Sequence, residues 1–65
     1  MKYKIEYWKE GQPSKTVHVS FLNELNMVVF FLRENGYHRD NVRISKAAYQ
    51  PIADSLHLLI WDKGL

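Results

Sequence analysis

Three histidines, the triplet His38-Arg39-Asp40 and two tryptophans are the residues of this chain that invite a chemical reading. His18 and His57 sit in stretches of alternating polarity. Two strands of one sheet would bring both to one face, with Glu6 or Asp62 within reach. Such a set serves as metal ligands or as an acid–base pair. The spacing matches no ligand motif such as H-E-x-x-H, and isolated strand histidines are ordinary surface residues. His38-Arg39-Asp40 spells the start of a kinase catalytic loop, but 65 residues hold no kinase and no glycine-rich loop precedes it. It reads as a polar connection, and Arg39, Arg43 and Lys46 around it read as a solvated basic patch, with a phosphate site as the alternative. No nucleophile elbow, P-loop or usefully spaced carboxylate pair occurs. Nothing in these residues supports catalysis, a metal site or a cofactor, so the chain reads as a non-enzyme.

Composition narrows the classes further. There is no cysteine, which removes disulfides and thiolate metal sites. A chain of 65 residues makes a single small domain, 1–65. Such a chain buries only about 60% of its unfolded surface, and association is one common remedy. An apolar fraction of 46% and an aromatic fraction of 14% place it among ordered globular chains. The net charge of +2 is too small to indicate nucleic acid by itself. The opening MKYKIEYWKE alternates charged and apolar residues, unlike a signal peptide. No apolar run approaches the ~18 residues of a membrane span. A soluble, cytoplasmic, complete domain is the expectation.

The elements follow from periodicity. Tyr3, Ile5 and Tyr7 alternate with Lys2, Lys4, Glu6 and Trp8, which predicts a strand over about 2–9. The turn chemistry of Gly11 and Pro13 follows, then a second strand over 15–20 with Val17 and Val19 on one face. The two make a hairpin. A helix is predicted from about 21 to 35. Ser20 or Asn23 would cap it, Glu24 falls in its first turn, and Gly36 stands as its C′ glycine. A third strand over 42–48 would use Val42, Ile44 and Ala48. YQPIAD reads as a turn, and 55–62 as a fourth strand. The fold class expected is α+β, ordered ββαββ. One helix lies on a four-stranded, mainly antiparallel sheet of order 2-1-3-4.

Met27 to Leu32 are six consecutive apolar residues, more than one helix face can use. On a helical wheel Phe21, Leu22, Leu25, Val28, Val29 and Leu32 gather toward the sheet. Met27, Phe30 and Phe31 fall on the opposite side, spaced to touch one another. An apolar patch with a polar rim marks an interface, unless a segment such as 49–54 covers it. The outer sheet face, expected to carry Trp8, His18, Arg43, His57, Leu59 and Trp61, is the second candidate. The function expected is a non-catalytic protein-interaction module, a homodimer or a partner for another protein. Its contacts would be Met27, Phe30 and Phe31, or Trp8, Leu59 and Trp61. The alternative is a single-stranded nucleic-acid-binding module. There Trp8 and Trp61 would stack on bases, and Lys2, Lys4 and Arg43 would meet phosphates.

Overall fold

The computed structural model describes residues 3–46 and 50–64. Its elements are β1 (Tyr3–Tyr7), β2 (Lys15–Val19), α1 (Leu22–Glu34), a short 3-10 turn (Arg39–Asn41), β3 (Val42–Lys46), β4 (Gln50–Pro51) and α2 (Asp54–Asp62). The four strands form one antiparallel sheet of order β2-β1-β3-β4. The fold is α+β, as the periodicity predicts, with a helix on a four-stranded antiparallel sheet. The chain then adds a second helix, so the full order is ββαββα.

That second helix replaces the strand predicted over 55–62. The fourth strand is instead the two-residue piece Gln50–Pro51, which falls where a turn is predicted. The run SLHLLIWD is apolar almost throughout, and a short continuous run does not distinguish period 2 from period 3.6. Three features favour the helix. Asp54 stands in its first turn, Ile60 and His57 share a side with Trp61, and Gly64 ends it in the left-handed region at φ +79. Ala48, predicted on the core side of the third strand, lies outside the described residues.

The register sets the two faces of the sheet. Tyr3, Ile5 and Tyr7 stand beside Val19, Val17 and Lys15 on one side, and beside Lys46, Ile44 and Val42 on the other. Both helices cover this face. The core comprises Tyr3, Ile5, Leu25, Val29, Leu32, Val42, Ile44, Ile52 and Ile60. α1 takes the side of β1 and β2, where Val28 and Leu32 meet Tyr7 and Val17. α2 takes the side of β3 and β4, where His57 and Leu58 meet Ile44 and Ile52.

The ends of α1 are fixed differently from one another. Its N-cap is Phe21, one residue before the first helical turn, and neither Ser20 nor Asn23 serves. The Glu24 carboxylate reaches back instead, accepting from the Ser20 and Phe21 backbone N–H groups at 3.0 Å each. That shift leaves Phe21 and Leu22 exposed, not in the core as the wheel has them. The C-terminus behaves as the sequence predicts. Gly36, at φ +82, bonds from N–H to the Arg33 carbonyl at 3.2 Å, and Tyr37 N–H reaches the Leu32 carbonyl at 3.1 Å. Tyr37 then stacks edge-on against Tyr7, ring centroids 5.3 Å apart. Lys9 closes the corner, its Nζ 4.6 Å over the Tyr37 ring and 3.1 Å from the Asn35 carbonyl.

Three substitutions test this assignment. Gly36→Ala puts a side chain at positive φ and should cost about 1–2 kcal/mol in urea denaturation. Ile60 is 3% exposed and Leu58 39% exposed, although a strand would place both on one face and a helix sets them about 200° apart. Ile60→Ala should therefore cost about 2–5 kcal/mol and Leu58→Ala distinctly less. Equal losses would favour the strand.

Candidate protein interface

α1 buries Leu25, Val29 and Leu32 and half-buries Val28. Its remaining apolar residues face out: Met27 is 70% exposed, Phe30 60% and Phe31 62%. The six-residue run thus divides between a buried and an exposed side, as a 100° turn per residue demands. The segment considered as a cover does not reach the patch. Gln50 and Pro51 pair with β3, at the far edge of the sheet from β2, and Ile52 enters the core.

The three exposed residues belong to two flanks of α1. Met27 and Phe31 line an apolar groove of about 240 Å³ with Val28, Leu32, Tyr7 and Val17, on the β2 side. Phe30 leans the other way, into a groove of about 260 Å³ shared with α2, where Trp61, Asn26 and Arg33 meet it. Arg33 holds the two helices together there, its Nη1 donating to the Trp61 carbonyl at 3.0 Å. The fold therefore brings Trp61 beside Phe30, a neighbourhood no strand reading anticipates. Leu59 is exposed on α2.

The outer sheet face differs from the expectation. Leu59, Trp61 and His57 belong to α2, which lies against the opposite face, so none of them is on it. What remains is polar. Lys4 pairs with Glu6 at 3.7 Å, flanked by Thr16, His18 and Arg43 in register, with Ser45 buried. Lys2 lies outside the described residues. Trp8 follows β1, its backbone N–H bonded to the Asn41 carbonyl at 3.1 Å. Trp8 at the end of β1 and Trp61 on α2 line different grooves, and no two-tryptophan platform forms on the sheet. His18 of β2 and His57 of α2 are likewise parted. Among the described residues no three His, Asp or Glu side chains approach closely enough to hold a metal ion.

Trp8 instead lines a cavity of about 470 Å³ between β3 and α2, together with Arg39, Arg43, Asp40, Asp54 and His57. Two cations face two anions, and Arg39 already meets Asp40 at 3.6 Å. This balance does not single out an anionic ligand. His57 Nε2 is buried nearby and has no hydrogen-bond partner among the described residues. Lys46, grouped with the two arginines on sequence grounds, lies at the other end of β3.

No protein-family model matches the sequence, and neither a curated protein nor a solved structure does. The surface must be interpreted from its own chemistry. With the two tryptophans apart, adding a mixed single-stranded oligonucleotide at low salt should leave tryptophan fluorescence unchanged. Quenching that weakens as salt rises would instead restore the nucleic-acid reading.

Proposed function

We propose that this protein is a non-catalytic interaction module that self-associates through the exposed apolar face of α1. The observation behind this reading is the exposure of Met27 and Phe31 on one flank of α1 and of Phe30 on the other. All three are more than half exposed on α1, in a domain with nine buried apolar residues among those described. Aromatics and methionine are the types enriched at the centres of interfaces. Exposing them to water has no structural purpose, because Leu25, Val29 and Leu32 already anchor α1. Burying such side chains contributes roughly 1.5–3 kcal/mol each, against the cost of association.

Light scattering on a sizing column, over a wide concentration range, tests the proposal. The expected result is a mass near twice 7.7 kDa at high concentration. Phe31→Asp should keep the helical circular-dichroism signal, with a stability change within about 0.5 kcal/mol, because the site is exposed. It should weaken association roughly 10- to 100-fold, the equivalent of one lost aromatic contact. A variant that unfolds would place Phe31 in the core and overturn the assignment of the patch.

A further inference from the structure

We infer that the occupant of the α1 face is a second copy of this chain, joined edge to edge through β2 across a two-fold axis. The inference rests on the self-association reading above and adds the geometry of the pairing. Area is the first argument. Even together, Met27, Phe30 and Phe31 expose roughly 300–500 Å², from about 150–250 Å² per side chain and the exposures given above. A specific interface needs on the order of 600–1,000 Å² per partner. The α1 patch must therefore continue onto a neighbouring surface.

That surface is β2. It ends the sheet, and among the described residues nothing pairs with its outer edge. Val17 and Val19 are only half-buried, although they stand on the core face. Beside them runs the apolar groove of Met27, Phe31, Tyr7 and Val17. A strand laid against β2 would bury the valines, and a helix carried with that strand would cover Met27 and Phe31.

The backbone phase permits the pairing. Ile52 N–H bonds the Ile44 carbonyl at 3.1 Å, on the β4 side. Backbone polar groups alternate sides along antiparallel strands. Ile44 therefore turns its groups away from β1. Its partner Ile5 then turns toward β2, and Val17, opposite Ile5, turns toward β1. Thr16 and His18 are left directing N–H and C=O outward. A two-fold axis at Val17 pairs Thr16 of each copy with His18 of the other, through four backbone hydrogen bonds. Val17 faces Val17, and Lys15 faces Val19.

No like charges oppose one another in this register. Lys15 of one copy approaches the end of β2 where Glu24 of the other caps its helix. Strand spacing of about 4.8 Å, with α1 above β1 and β2, sets the two α1 helices about 10 Å apart, within packing distance. The free part of the β3 edge has no such complement, since the cavity beside it carries Arg39, Arg43, Asp40 and Asp54.

Five variants of the full chain test the geometry by light scattering, circular dichroism and gel analysis. His18→Pro removes an outward N–H and spares the β1 ladder. It should give a folded monomer. The chain has no cysteine, so a single introduced one reports cleanly. Val17→Cys places two thiols across the axis, at about 4.5 Å between Cα atoms, within disulfide range. On mild oxidation it should become a covalent dimer at least about tenfold faster than Gln12→Cys in the hairpin turn, through its higher effective concentration. Phe30→Asp, on the far flank of α1, should weaken the dimer less than Phe31→Asp. A dimer that survives His18→Pro and shows no preferential cross-link, yet dissociates with Phe31→Asp, overturns the edge pairing and leaves self-association through α1 standing. A wild-type chain that stays monomeric at millimolar concentration overturns the second copy as occupant.

Discussion

Ile5 is the point on which the other elements depend. It is fully buried at the middle of the central strand, with Val17 beside it in β2 and Ile44 beside it in β3. Leu25, Val29 and Leu32 of α1 and Ile60 of α2 belong to the same cluster. With nine buried apolar residues in the described chain, no second cluster exists to share the load. Both helices must lie on the one face that Ile5 occupies, and the opposite face is left to Lys4, Glu6 and their polar neighbours.

This economy explains the uneven surface. Two helices on four short strands bury the core-facing residues of β1 and β3, but they leave β2 at the rim with its valines half-covered. The patch on α1 adjoins that rim. The two incomplete features are neighbours because both arise from a helix layer slightly too narrow for its sheet. The cavity under α2 has a different character, since its charges are already matched.

Much of this was legible in the chain. Strict alternation located β1 and β2, and Gly36 located the end of α1, because left-handed backbone selects glycine. The wheel separated Leu25, Val29 and Leu32 from Met27, Phe30 and Phe31 correctly. It failed at Phe21 and Leu22, where Glu24 capped the helix from inside its first turn and no side chain capped it from before. Alternation failed at 55–62, where Leu56, Leu58 and Ile60 fit a strand as well as a helix. That error moved His57, Leu59 and Trp61 across the sheet and created an aromatic platform on paper. Gly64, just past the apolar run, was the available signal of a helix end. The groove that Trp61 and Phe30 share depends on how two helices meet, which no local pattern encodes.

The central position of β1 also has a kinetic side. β1 makes its longest pairing with β3, and all of β2 and α1 lies between them in sequence. Closing so long a loop is entropically slow compared with forming the hairpin or a helix. Until β3 arrives, the hairpin and α1 can meet, but the inner edge of β1 stays open. As the chain emerges from synthesis there is an interval in which both edges of the hairpin and the aromatic flank of α1 are unprotected. An early encounter between two such chains would engage the same kinds of groups that complete the finished sheet. Correct closure and intermolecular mispairing are then in competition, and the speed with which residues 42–46 find Tyr3–Tyr7 decides the yield of folded protein.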